Sequence, residues 1–345
     1  MLPAAADRSA PRSRWTRWRP ALALLAYAAI LTLALRTLDL TRLAEAFARL
    51  RPHHVSLLIG LAVLHVSIRV LRYHALVRRA SPSPYRFVDG AHIFLIGLSA
   101  SIVTPGRAGD LIKAELTRAH GIRRATGLGI VAIERILDLL MIAATIVVTG
   151  ALLSYRAELP SVRLAGMLLF LGLSAGTAVV TVKRWRRWAI EVFARLATAL
   201  TRRLRSERVV DVLQNLFNVW DEIFSSPVSV LKYVAVTAAA WFVDFLKLWV
   251  VLRCIGLEVP LLPVLFVYPV SLVAGILTLL PFSEGVVGVT TVALLGQLAQ
   301  VDAESATAAV LVDRGISSMV PLALFALLRI GSSRSSERVE TSAPS

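Results

Sequence analysis

At 345 residues, 57% apolar and only 17% charged, with a mean hydropathy of +0.70, the chain has too little polar surface to wrap a water-soluble core. A formal net charge of +16 would suggest nucleic acid in a soluble protein. In a chain this apolar it fits basic residues gathered on the cytoplasmic side of a membrane against anionic lipid, so no nucleic-acid partner is expected. The single cysteine, Cys254, excludes a disulfide framework or a CxxC site.

Residues 1–19 carry Arg8, Arg12, Arg14, Arg17 and Arg19 with Trp15 and Trp18. The apolar run 20–35 ends at Arg36 with no small-residue cleavage site, and so reads as a retained first span behind a basic cytoplasmic tail. Residues 39–51 have helical periodicity and mixed charge, as suits a short surface helix. A second span covers 53–73; His65, Arg69 and Arg72 share one face at its end, where arginines snorkel toward head groups. A basic, proline-containing loop is expected over 78–86.

Residues 87–104 are apolar and stop at Pro105. The following helix, 106–119, would be only about 21 Å long, against a hydrocarbon core of roughly 30 Å. Long spans are expected over 126–153, with Glu134, Arg135 and Asp138 inside, and over 162–182. In 183–226, Trp185, Trp188, Val192, Leu196, Leu200 and Leu204 recur every three or four residues among arginines, an amphipathic stretch suited to a membrane surface. A span over 228–253 contains Asp244 and Lys247. Residues 261–280 run to Pro281, the short helix 285–300 would measure about 24 Å, and the last span, 306–328, holds Asp313 and Arg314. A flexible cytoplasmic tail is expected over 331–345.

The membrane region, 20–330, divides into halves of about 20–154 and 162–330 that echo each other. Each has an apolar run, a proline, a glycine-rich short helix and a long helix with an acid directly before an arginine. The breaks are Pro105, Gly106 and Gly109 in one half and Pro281, Gly285 and Gly288 in the other. Gly/Pro-interrupted segments at matching places point to a transporter binding site. The expected fold is an all-α polytopic membrane protein, with six spanning helices plus two re-entrant helical hairpins arranged as an inverted repeat. With that topology 25 of the 38 Lys and Arg fall on the cytoplasmic side and 6 outside, which places both termini inside.

The charged residues carry the functional expectation, because an ionised side chain at mid-membrane costs roughly 2.5–3.5 kcal/mol even on the lenient insertion scale. Arg107, Asp110 and Lys113 share one face near the start of the short helix, where backbone N–H groups and the helix dipole also favour an anion. With Arg135 and Arg314 they are the candidates for head-group binding. Glu134, Asp138, Asp313, Asp244, Lys247 and Glu284 are candidates for coupling or for ion pairing. Glu134 is expected to pair Arg107 or Lys113, and Asp244 to pair Lys247. The histidines form no HExxH pattern, and there is no P-loop and no GxSxG; no metal, cofactor, ATP-driven motor or serine hydrolase is indicated.

In Pro105-Gly-Arg107-Ala-Gly109-Asp110 with Lys113, in Glu134-Arg135 with Asp138, in Pro281, Gly285 and Gly288, and in Asp313-Arg314, the chain resembles the membrane region of lysylphosphatidylglycerol synthases. That flippase-like family also occurs as stand-alone membrane proteins, and the resemblance covers roughly residues 20–330. It implies translocation of an anionic lipid between leaflets of a bacterial-type inner membrane: an aminoacylated phospholipid, a polyprenyl-linked lipid or a hopanoid-type lipid. The synthases carry an aminoacyltransferase domain after the membrane part; none is expected here, so the chain looks like transport without synthesis. Glu284 departs from the pattern, standing where the family's second hairpin has its second proline, and Thr291 stands where a glutamate would follow.

A transporter without enzymatic activity is therefore expected, with membrane lipids as partners. The sequence keeps two alternatives: a non-catalytic partner of lipid-synthesis enzymes recruited through 183–226, and an intramembrane lipid-phosphate enzyme with Glu134 or Asp138 as general base. It does not specify the oligomeric state.

Overall fold

Prolines open two of the long helices at the position where a missing N–H costs nothing. These are Pro52–Ala80 and Pro227–Cys254, the second also capped by the Ser226 hydroxyl, which accepts from the Ser229 amide at 3.2 Å. The computed structural model describes residues 39–81, 85–104, 109–157, 206–278 and 284–341, with scattered positions between 171 and 195. The described residues fold only into helices: α1 (Leu40–Ala48), α2 (Pro52–Ala80), α3 (Phe87–Val103), α4 (Asp110–Arg118), α5 (Arg124–Ala157), α6 (Ser206–Ile223), α7 (Pro227–Cys254), α8 (Leu261–Leu277), α9 (Glu284–Ala299) and α10 (Ala303–Thr341). Four are long and apolar enough to cross a membrane, namely Pro52–Ala80, Arg124–Ser154, Pro227–Cys254 and Ala303–Leu328. The spans expected over 20–35 and 162–182 lie outside the described residues, apart from positions 171, 172 and 175.

Large apolar side chains cover the outside of these helices, among them Leu57, Leu64 and Leu71 on α2, Leu231 and Phe242 on α7, and Met319 and Leu327 on α10. Such a belt is tolerable in hydrocarbon and not in water. Inside, one core gathers Tyr73, Leu76, Phe94, Ile133 and Ile223 from α2, α3, α5 and α6. A second gathers Leu248, Val264, Val267, Leu295 and Ala309 from α7 to α10. Helix α5 serves both, through Ile130 and Ile133 in the first and Ile142 and Ile146 in the second.

The helices pair in a reciprocal way. α2 and α7 run antiparallel: His65 bonds the Ala240 carbonyl at 2.8 Å, Arg72 donates to Thr237 at 2.9 Å, and Tyr233 donates to the Ala75 carbonyl at 3.2 Å. α4 packs on α5, and α9 packs on α10; α3 crosses to pack on α10, and α8 packs on α5. α3 and α4 also lie antiparallel. A Cβ on Gly109 would stand 2.3 Å from the Ser101 backbone nitrogen, and one on Gly97 would stand 2.4 Å from Lys113 Cγ. Glycine at these two places is what lets the helices close and the Lys113 side chain pass between them. The Gly109 amide completes the turn by donating to Thr104 Oγ1 at 2.8 Å.

Three expectations change. α2 does not end at residue 73 but continues through Arg78 and Arg79 to Ala80, so Arg72, expected at the cytoplasmic loop, is buried at 1% exposure. The positive charge that suggested a helix end is consumed by acids on other helices. α10 continues to Thr341, through the segment expected as a flexible tail. Within 183–226, residues 206–223 form α6, which spends its apolar face, Val219, Trp220 and Ile223, on protein, while Trp185 and Trp188 of the same stretch are exposed.

The closeness at Gly109 is directly testable. Gly109→Ala brings its Cβ against backbone atoms that must move, and is expected to cost about 1–3 kcal/mol, the usual range for overpacking. Gly60→Ala meets nothing within 4 Å and should not lower stability. Thermal unfolding of both variants in detergent, scored by loss of the monodisperse peak, checks the contrast.

Candidate functional site

Two groups of buried charges face each other across the helix bundle. In the first, Arg72 of α2 bridges two carboxylates of α5, reaching Asp138 at 2.7 Å and Glu134 at 3.5 Å. The acids lie four residues apart, on one helix face, as their spacing requires. Arg69, one turn before Arg72, reaches Asp138 at 3.5 Å, and the Trp241 indole N–H donates to the same carboxylate at 3.1 Å. On the other side of Glu134, Lys113 of α4 binds it at 2.7 Å and Asp110 at 3.1 Å. Asp110 in turn pairs Arg135. Aromatic faces complete the cage, with the Lys113 ammonium 5.2 Å from the Tyr73 ring centroid and 5.0 Å from that of Phe94.

The second group is built from α7 to α10. Lys247 donates to Asp244 at 2.8 Å and to Ser317 at 2.5 Å, and lies 3.3 Å from Asp313. The Tyr268 hydroxyl donates toward Asp244 at 3.2 Å and Asp313 at 3.4 Å. Arg314 lies 3.0 Å from its neighbour Asp313, pairs Glu284 at 2.9 Å, and stacks its guanidinium 4.6 Å from the Tyr268 ring centroid. The halves use the same device: the arginine after the acid reaches the first-turn acid of the short helix, Asp110 for Arg135 and Glu284 for Arg314.

Between the groups lies a partly enclosed cavity of about 80 Å³, roomy enough for several waters. Its charged and polar wall is made by His65 and Arg69 of α2, Asp244 and Lys247 of α7, Tyr268 of α8, Glu284 of α9, and Arg314, Ser317 and Ser318 of α10. Pro321 also lines it. Lacking an N–H, that proline leaves the Ser317 carbonyl without its helical donor, one more polar group beside the cavity. Cations from α2, α7 and α10 thus line one polar space inside an apolar protein.

Of the residues singled out in the sequence, Pro105, Gly106, Arg107 and Pro281 lie outside the described residues. Lys113 and Glu134 pair, and so do Asp244 and Lys247, as expected. Asp110, Lys113 and Arg135 are brought together as partners of one another, set apart from the cavity lining. Arg314, Asp244, Lys247 and Glu284 do line the cavity, while Asp138 is held by Arg72, Arg69 and Trp241. Gly109 and Gly288 mark close approaches, to α3 and to Val310 of α10; Gly285 lies in the first turn of α9. Sequence reasoning placed His65 and Arg69 at a membrane edge instead of in this cavity, although their four-residue spacing already put them on one face. Among the described residues no cluster of His, Cys, Asp and Glu could hold a metal ion.

The family described as the lysylphosphatidylglycerol synthase TM region matches residues 21–324. No curated protein matches the chain.

Removing one member of a buried pair leaves its partner charged and uncompensated, which typically costs about 3–5 kcal/mol. Glu134→Ala is expected to lose stability in that range, since Lys113 and Arg72 both depend on it. Glu115→Ala, which removes a half-exposed carboxylate from Arg118 and Arg124, should change little. Denaturant unfolding in mixed micelles distinguishes the two.

Proposed function

The chain belongs to the family of the lysylphosphatidylglycerol synthase transmembrane region, and from that premise we propose that it moves a lipid with an anionic head group between membrane leaflets, without chemistry on the lipid. The head group passes through the polar cavity while the tails stay in the bilayer. The observation that carries this reading is the cavity, where Arg69 of α2, Lys247 of α7 and Arg314 of α10 line one space. Charges are kept inside a membrane where they line a pathway or bind a polar ligand, and ion pairing by itself requires no hollow.

The architecture that goes with this reading is an inverted repeat. Exchanging α2 with α7, α3 with α8, α4 with α9 and α5 with α10 maps each packing among these eight helices onto another or onto itself, including the arginine-to-first-turn-acid pair. In that reading α3 with α4 and α8 with α9 are hairpins entering from opposite sides, six helices span, and both termini are cytoplasmic in a bacterial-type inner membrane. The two halves then rock about the cavity, exposing it to one side at a time. The candidate lipids are an aminoacylated phospholipid, a polyprenyl-linked lipid and a hopanoid-type lipid with an anionic head group. An enzyme using Glu134 or Asp138 as base fits less well, because each carboxylate is engaged by two cations and neither lines the cavity.

Reconstitution tests the proposal. In proteoliposomes carrying a fluorescent phosphatidylglycerol, with aminoacylated and polyprenyl phosphate lipids in parallel, translocation should exceed that of protein-free vesicles for at least one lipid. Arg314→Ala, still monodisperse, should lower that rate at least tenfold, roughly the value of one charge-assisted contact. Wild-type rates equal to protein-free vesicles for the whole panel would remove the reading.

A further inference from the structure

We propose that Glu284 is a built-in substitute for the ligand: its carboxylate occupies Arg314, and a phosphate entering the cavity displaces it and is held between Arg314 and Arg69. This rests on the reading of the cavity as the head-group pathway, and adds the residues that hold the ligand, its chemistry and the contact broken on its arrival.

The choice of Glu284 follows from burial. An anion that enters must find a cation, and the cations around the cavity already have carboxylate partners. Asp138 and Asp313 have side chains only 4% and 1% exposed. Pushing either off its cation would strand a charge in a place water does not reach. The Glu284 side chain is 35% exposed and Arg314 is 16% exposed, the most accessible ion pair in the cavity wall. A carboxylate that is released there meets water at once, so its exchange for another anion is nearly balanced, as for pairs in contact with solvent.

Arg314 is built to change partners without moving. Its guanidinium lies over the Tyr268 ring at 4.6 Å and against Asp313 at 3.0 Å, so the group stays oriented when Glu284 leaves. A planar guanidinium with several N–H donors suits phosphate oxygens as well as it suits a carboxylate. Arg69 of α2 lines the same cavity, and together the two offer donors from two helices to one phosphate group.

The test is binding to detergent-solubilised full-length protein by isothermal titration calorimetry. The probes are dioctanoylphosphatidylglycerol, inorganic phosphate and dioctanoylglycerol, which shares the tails but lacks phosphate. Glu284→Gln keeps the side chain's shape and removes its charge. It should tighten dioctanoylphosphatidylglycerol binding about tenfold, the effect of one charge-assisted contact released for the ligand. Arg314→Gln should abolish binding even when combined with Glu284→Gln, and Arg69→Gln should weaken it. Glu284→Asp, which retains the competing charge, should bind like wild type, so a gain in Glu284→Gln does not come from altered packing. A parallel gain for inorganic phosphate identifies free phosphate as a sufficient ligand, and a gain for the lipid alone identifies the phosphodiester head group; both support the proposal. Unchanged or weaker lipid binding in Glu284→Gln, or an equal gain for dioctanoylglycerol, overturns it. Tighter binding without translocation of any lipid would keep this inference and remove the transport reading; translocation with no change in Glu284→Gln binding would do the reverse.

Discussion

A charge inside hydrocarbon has to be neutralised where it stands, and this requirement organises the whole interior of the protein. Arg72 is its centre: fully buried on α2, it donates to Asp138 of α5 and to the hydroxyl of Thr237 on α7, and lies 3.5 Å from Glu134 of α5. Three helices are thereby fixed in rotation about their own axes, since turning any of them carries a charge away from its partner into an apolar surround. Lys113 extends the constraint to α4, and its side chain reaches Glu134 only because Gly97 leaves a notch in α3. Small residues and buried ions are in this sense one design: the glycines bring backbones close enough for short ion pairs to form away from water.

Among the described residues the two charged groups are unbalanced in opposite directions. The first holds four cations, Arg69, Arg72, Lys113 and Arg135, against three carboxylates, Asp110, Glu134 and Asp138. The second holds two cations, Lys247 and Arg314, against Asp244, Asp313 and Glu284. The cavity lies where these imbalances meet, with Arg69 reaching it from the positive side. A polar, partly hydrated space at that junction lowers the cost of both, because water there screens the surplus charge that a close-packed core could not.

Much of this was legible in the sequence, and the boundary of what was legible is physical. Periodicity and hydropathy located the long helices because a membrane span must be apolar over its whole length. Local spacing gave Asp244 with Lys247, three residues apart on one helix, and the matched acid-arginine pairs at 134–135 and 313–314. Lys113 with Glu134 followed from two helices joined by a short loop. What spacing could not give was contact between distant elements. Arg72 read as a snorkelling residue because the apolar run ends at residue 73, and only the packing of α2 against both α5 and α7 turns it into a buried bridge. Arg69 and His65 were misplaced for the same reason. The crossing of α3 to α10 and of α8 to α5 likewise leaves no mark on either segment alone.

The acid-arginine dipeptides have a mechanical implication. Neighbouring residues on a helix point about 100° apart, so Asp313 faces Lys247 on α7 while Arg314 faces Glu284 on α9. A turn of α10 about its axis therefore strains both contacts together, and Glu134 with Arg135 couples α5 to α2 and α4 in the same way. Such helices behave as latches with two teeth: neither tooth can slip while the other stays engaged.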